Sequence, residues 1–269
     1  FVAIGLAMLA KGPLGLIFPF FVIGIIMLIE RKQRPLSWRW LWAIPIIAVI
    51  LTPMCIGLYQ QHGSKGLEFF FWTQSFGRIT GQSRWSNNTD PFFLVHSFLW
   101  AFLPFTLVFI SATYSKVRLA IKKQPLTWMD YGNIGGFILT MFALSLSRYR
   151  LPHYIYIVSP IAAILCAQHL ATLGDTRFMR RLERVQYGFM SIIVMSAIGL
   201  VYVFTESFPW LHLGILAGIL ALIWVLYSKF ASNVRIVFIS AATILFVNII
   251  LNSAFYPALL RYQAPSEAA

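Results

Sequence analysis

Three short stretches hold the residues most able to do chemistry. Lys11 stands in Leu9-Ala10-Lys11-Gly12-Pro13-Leu14-Gly15, inside an otherwise apolar run. An ammonium at the centre of a membrane helix costs about 2.5–3.5 kcal/mol on insertion scales, so a lysine there needs a reason. One reason is snorkelling to an interface or a structural ion pair. The other is a polar cavity beside a kink, because Pro13 has no N–H and Gly12-Pro13 weakens the helical ladder. At 1.5 Å per residue Lys11 lies roughly 12–15 Å from the near end of its run, which is deep for simple snorkelling. The second stretch is Phe69-Phe70-Phe71-Trp72-Thr73-Gln74-Ser75-Phe76-Gly77-Arg78-Ile79-Thr80-Gly81. The planar guanidinium of Arg78 suits a bidentate grip on phosphate, with an interfacial arginine touching lipid headgroups as the ordinary alternative. The third is Ser147-Arg148-Tyr149-Arg150-Leu151-Pro152-His153-Tyr154-Ile155-Tyr156, where arginines, a histidine and tyrosines crowd one turn. Pro152 suits the first position of a helix, and a helix N-terminus favours an anion. Aromatic anchoring and snorkelling are the competing account of this turn. Lys11, Arg78, Arg148, Arg150 and Tyr154 are the candidate phosphate-binding residues.

Elements that could position these residues must live in lipid. Of 269 residues, 59% are hydrophobic and 11% charged, and mean hydropathy is +0.76. A soluble domain is nearer half apolar and a quarter charged. The reading is all-α: a multi-pass transmembrane helical bundle. A spanning helix needs roughly 20 mainly apolar residues, and about eight stretches qualify or nearly do: 2–29, 38–58, 92–113, 131–147, 152–171, 187–204, 208–228 and 234–253. The net charge of +13 would point to nucleic acid in a soluble protein. Here the bases cluster between apolar runs, which excludes nucleic acid in favour of lipid headgroups and topology.

Alternate loops divide the bases unequally. One set holds Arg31, Lys32, Arg34 and Arg39, then Lys116, Arg118, Lys122 and Lys123, then Arg177, Arg180, Arg181 and Arg184, and finally Lys229 and Arg235. The other holds only Lys65, Arg78, Arg84, Arg148, Arg150 and Arg261. The positive-inside rule makes the first set cytoplasmic, so all three motifs lie toward the outside. The long outside loop, 59–91, is expected to form short interfacial helices carrying Phe69 to Trp72 and Phe76. Cys55 and Cys166 read as small buried hydrophobes. His62, His96, His169 and His212 lack metal-ligand spacing. No cofactor is evident, and a divalent metal has no visible ligand cluster. The outside acids Glu68, Asp90, Glu206 and Glu267 offer no clear catalytic carboxylate. The chain starts at Phe1 within an apolar run and stops at Ala269 soon after another, and is expected to be a fragment of a larger protein.

Taken in order, Leu9-Ala10-Lys11-Gly12-Pro13, the aromatic loop ending in Arg78, and Arg150-Leu151-Pro152-His153-Tyr154 resemble the polyprenyl-phosphate-sugar-dependent glycosyltransferases of the protein mannosyltransferase and aminoarabinose transferase superfamily. The likeness is strongest to bacterial members related to the lipid A aminoarabinose transferase. Those usually read Lys-Leu-Pro-x-Tyr where this chain has Arg150-Leu151-Pro152-His153-Tyr154, and Arg and Lys are not equivalent at a phosphate.

The resemblance implies that 1–269 is the C-terminal part of the membrane domain of a larger enzyme. Its catalytic loop would precede Phe1 and any soluble domain would follow. It implies transfer of a sugar from a polyprenyl-phosphate donor to lipid A, a glycan or a protein, on the periplasmic or exterior face of a bacterial cytoplasmic membrane. Lys11, Arg78, Arg148, Arg150 and Tyr154 would hold the donor phosphate. The general base would lie upstream of Phe1, leaving this fragment alone inactive. Some relatives use a divalent metal. A transporter or flippase for a lipid-linked or anionic substrate accounts for the same basic residues, although no second copy of the Lys-Gly-Pro segment, as a paired repeat would require, is present.

Overall fold

The computed structural model describes residues 1–29, 37–77, 89–147, 150–174, 176–204 and 210–263. Among them, all regular structure is helical. Large apolar side chains face outward, with Leu28 78%, Trp100 77% and Trp224 75% exposed. Such surface is tolerated where lipid replaces water. The chain is an integral membrane protein built as a multi-pass helical bundle.

Among the described residues, three helical stretches are long and apolar enough to cross a bilayer unaided: Trp38–His62, Arg177–Phe204 and Ser232–Leu260. A fourth candidate is a pair, Phe93–Ala101 and Thr106–Ile121, bent by 117° at its break. The other apolar runs form shorter helices. The count of eight spans expected from hydropathy thus corresponds to three or four helices that pass on length alone.

The chain divides into two compact units. The first comprises Phe1–Ala101 and Ala112–Leu165. It opens with α1 (Val2–Lys11) and α2 (Leu14–Ile29), where a single run of 2–29 was expected. The Lys11-Gly12-Pro13 step does more than kink the helix: it separates two pieces. Gly12 adopts φ 63° and its N–H closes α1 on the Met8 carbonyl at 2.7 Å. L-residues seldom take that backbone region, and Pro13 cannot donate. A ten-residue α1 is about 15 Å long, half of a ~30 Å hydrocarbon core.

A 3-10 turn at Trp38–Trp42 leads into α3 (Ala43–His62), and α4 (Ser64–Glu68) runs on into a π turn at Phe69–Thr73. The aromatic loop is therefore helical at its start, as expected, with Phe69 and Trp72 exposed. After α5 (Phe93–Ala101) and α6 (Thr106–Ile121), α7 (Trp128–Ser145) begins with a capping box between Thr127 and Asp130. Asp130 also pairs with Lys116 of α6 at 2.7 Å. Lys116, expected as a loop base, is thus helical and mostly buried.

The packing of α2 on α7 is backbone-close. A Cβ added at Gly132, Gly135 or Gly136 would stand 2.6, 2.5 or 2.4 Å from side chains of Ile26, Ile25 and Val22. Small residues at this spacing let membrane helices approach where no hydrophobic force drives them together. The unit closes with a 3-10 turn at Pro152–Ile157 and the first part of α8 (Ser159–Leu173).

The second unit comprises Phe102–Ser111 and Cys166–Ala269. It holds α9 (Arg177–Phe204), α10 (Trp210–Lys229), α11 (Ser232–Ile250), a π turn at Leu251–Phe255 and α12 (Tyr256–Gln263). Arg177, Arg180, Arg181 and Arg184 form the first turns of α9 rather than a loop. Within this unit, Gln186 donates to the Pro104 carbonyl at 2.7 Å and to Ser240 Oγ at 3.2 Å. That satisfies a carbonyl beside the break preceding α6, where Pro104 has no N–H to continue a ladder.

Candidate functional site

Lys11 is the last residue of α1, immediately before the break at Gly12-Pro13. Gly12 is pressed against the aromatic loop: a Cβ there would meet Ser75 Oγ at 2.9 Å and the Phe70 carbonyl at 3.0 Å. Only glycine allows this approach and this φ together. The Lys11 ammonium reaches the turn after α7, with Nζ 3.4 Å from His153 Nε2 and 5.1 Å from the centre of the Tyr154 ring. The His153 and Tyr154 rings meet edge to face, 4.9 Å apart at 86°. The cation thus lies against the His153 imidazole and the π face of Tyr154.

Lys11 borders two cavities within the first unit. One, about 220 Å³, has walls of Leu14, Ile17, Phe18 and Phe21 from α2, Leu144 from α7, and Ile157. Its polar atoms come from Lys11, Gln74, Ser75, Ser147 and Tyr154. The other, about 380 Å³, runs between Ala7, Ala10 and Pro19 on one side and Tyr156, Pro160 and Ile161 on the other. Lys11 beside apolar troughs suits an amphiphilic anion, such as a phosphate whose hydrocarbon tail lies among the apolar walls. Among the described residues, no carboxylate lines either cavity and no cluster of metal-ligating side chains is present. Among the described lining residues, Lys11 offers a cation to an anion and none offers a carboxylate base.

Of the five candidates, Lys11 and Tyr154 come together. Arg150 does not line the cavity. Its Nε donates to the Ser145 carbonyl at the end of α7 at 3.0 Å, and Nη1 donates to the Thr89 carbonyl at 2.7 Å. A longer contact reaches the Asp90 carbonyl at 3.4 Å. Arg150 thus ties the end of α7 to the segment entering α5. Arg78 and Arg148 lie outside the described residues. Phe76, two residues before Arg78 in the sequence, and Ser147, immediately before Arg148, both line the cavity. The expected helix N-terminus at Pro152 is corrected: Pro152 opens a six-residue 3-10 turn and α8 starts at Ser159, so a helix dipole at Pro152 supports no anion site. The residues not singled out by sequence were Gln74, Ser75 and Ser147. Their only signal was polarity in otherwise aromatic or apolar surroundings.

Fold and site together define a class: a helical membrane protein with a lysine at the mouth of an apolar cavity. The fold is that of the crystal structure of ArnT from Cupriavidus metallidurans bound to undecaprenyl phosphate, with a TM-score of 0.66 at 20% identity over 93% of this chain. The family resemblance read from the sequence therefore holds at the level of the fold. An uncharacterized protein of Aquifex aeolicus (strain VF5) is 23% identical over 210 residues, 77% of this chain. No family model matches the sequence. The chain spans less than half of either protein, 46% of ArnT and 38% of the Aquifex protein.

Proposed function

We propose that this chain is the later part of a membrane glycosyltransferase that moves a sugar from a polyprenyl-phosphate donor to a lipid A, glycan or protein acceptor. The observation that carries the reading is the placement of Lys11: a cation at the mouth of an apolar cavity, in a fold shared with a protein crystallised with undecaprenyl phosphate. The donor's hydrocarbon would lie against α2 and Ile157, and its phosphate would meet Lys11 and Tyr154. Arg78 and Arg148 would complete the grip, and Arg150 would hold the Thr89–Asp90 segment in place beside it.

In the reaction, the acceptor oxygen forms a bond to the anomeric carbon as the carbon–oxygen bond to phosphate breaks. The phosphate departs with the bonding electrons, and a base takes the acceptor's proton. Negative charge builds on the leaving phosphate, where a fixed cation stabilises the transition state more than the ground state. The base belongs to another part of the full-length protein. Reconstitution of the full-length protein with a labelled polyprenyl-phosphate sugar and an acceptor extract tests this. Sugar on the acceptor with release of polyprenyl phosphate supports transfer; movement of the intact donor between leaflets without sugar release would replace it with transport.

The same reading places the site on the periplasmic or exterior face of a bacterial cytoplasmic membrane, following the loop bias in Lys and Arg. Single cysteines replacing Arg34, Lys122 or Arg181 in a Cys-free full-length background should resist an impermeant thiol reagent in intact cells. Cysteines replacing Glu206 or Arg78 should react. Labelling in the reverse pattern would invert the topology.

A further inference from the structure

We infer that the second unit carries a separate binding site for an anionic phospholipid, in the cleft between α9 and α10 with its headgroup on Arg180 and Arg184. α9 and α10 each pack on α11. Between them a cleft of about 440 Å³ is walled by Met190, Val194 and Ile198 on one side and Leu216, Ile219 and Ile223 on the other, with Phe246 among its floor residues. Its lining runs from Tyr187 and Tyr227 to Ile198 and Leu216, next to the buried cluster of Ala197, Val201 and Phe246. From Tyr187 to Ile198 the cleft runs about 16 Å at 1.5 Å per residue. That is close to the depth of one leaflet, half of a ~30 Å hydrocarbon core. The cleft is deep enough for an acyl chain and does not cross the bilayer.

The charge at its open end says which lipid fits. At 100° per residue, Tyr187, Ser191, Val194 and Ile198 lie along one stripe of α9, and the stripe continues backward through Arg184 and Arg180. Both arginines are exposed, about one and two turns beyond Tyr187. Lys229, exposed at the last turn of α10, brings a third base to the same end. Among the described residues of this stretch of α9, the carboxylate is Glu183, which is buried and bonded bidentately to Arg235 rather than to these bases. Tyr187 and Tyr227 stand between charge and cleft, amphipathic side chains suited to headgroup depth. An anionic phospholipid satisfies all three features; a zwitterionic one carries an ammonium that Arg180, Arg184 and Lys229 would repel. This site shares no residue with the Lys11 cavities, and it does not depend on the proposed reaction.

Each base near an anionic lipid surface is worth about 1 kcal/mol, so losing two should weaken binding about 10–30-fold. Full-length protein purified in mild detergent would be titrated with phosphatidylglycerol or phosphatidylcholine and read by native mass spectrometry. The wild type should retain one phosphatidylglycerol in preference to phosphatidylcholine. Arg180→Ala with Arg184→Ala should lose that preference, while Arg118→Ala with Lys122→Ala should keep it. Ile219→Trp, which fills the cleft and spares the arginines, should also reduce retention; should that variant fail to fold, the lipid comparison on the wild type still decides. Equal retention of both lipids by the wild type, or unchanged phosphatidylglycerol retention in the double arginine variant, would overturn the assignment.

Discussion

Lys11→Ala in the full-length protein is expected to lower sugar transfer from a polyprenyl-phosphate donor on the order of a hundredfold or more, the equivalent of about 2–4 kcal/mol of transition-state stabilisation. The fall should be mainly in kcat, because the cation acts most strongly on charge that develops as the phosphate leaves. Lys11→Met keeps the length and removes the charge, and should be as inactive as Lys11→Ala. Lys11→Arg should recover only part of the rate, since the guanidinium fork replaces a compact ammonium packed against Tyr154. Stability separates this from a structural role. The Lys11 ammonium contacts the His153 ring and the Tyr154 face, and replacing a cation on an apolar wall by a thioether removes its desolvation cost. Lys11→Met should therefore insert and accumulate like the wild type. Normal transfer by Lys11→Met at normal protein level would sink the phosphate-holding role; loss of transfer together with loss of protein would assign Lys11 to folding.

The composition and the apolar runs were enough to read a helical membrane protein, because lipid leaves the backbone few alternatives to helices. Gly12-Pro13 was legible as a kink in one run, 2–29, because Pro13 has no N–H; that the helix breaks there follows from Gly12 at φ 63°. What local reasoning misjudged was extent. Hydropathy ends a span where charge begins, yet α9 continues through Arg177, Arg180, Arg181 and Arg184, because arginine is a good helix former and these side chains are exposed. The convergence of Lys11 with Tyr154 was inferred from their common side of the membrane, but the contact with His153 joins residues 142 apart and depends on how α1, α2 and α7 pack. Arg150 shows the limit of residue type as evidence. A guanidinium fits a phosphate or a set of carbonyls equally well, and the choice lies with the backbone it meets. Here α7 ends at Ser145 and the Thr89 carbonyl passes within reach, so both are bonded by one side chain.

The same ambiguity hid the strongest polar anchor in the second unit, whose arginine had been read only as a topology-setting loop base. Glu183→Leu is expected to destabilise the protein by about 3–5 kcal/mol, because it leaves the Arg235 guanidinium without its countercharge in a mostly buried place. In the intact protein both Glu183 oxygens accept from Arg235, and Tyr187 OH donates to Oε1 as well. Arg235 also donates to the Tyr227 carbonyl at 2.9 Å and to Ser232 Oγ at 3.1 Å, and its guanidinium stacks on the Tyr227 ring at 4.1 Å. One ion pair thus joins the starts of α9 and α11 to the end of α10. Arg235→Met should cost a similar amount through the stranded Glu183. The double variant Glu183→Leu with Arg235→Met should be much more stable than the sum of the two losses, since no buried charge then lacks a partner. It should still fall short of the wild type, because the Tyr227 carbonyl and the Tyr187 hydroxyl each lose a hydrogen bond worth about 0.5–1.5 kcal/mol. Thermal unfolding of the four proteins in one detergent provides the cycle. Additive losses would mean that the two residues act independently, and that the network does not hold these helices together.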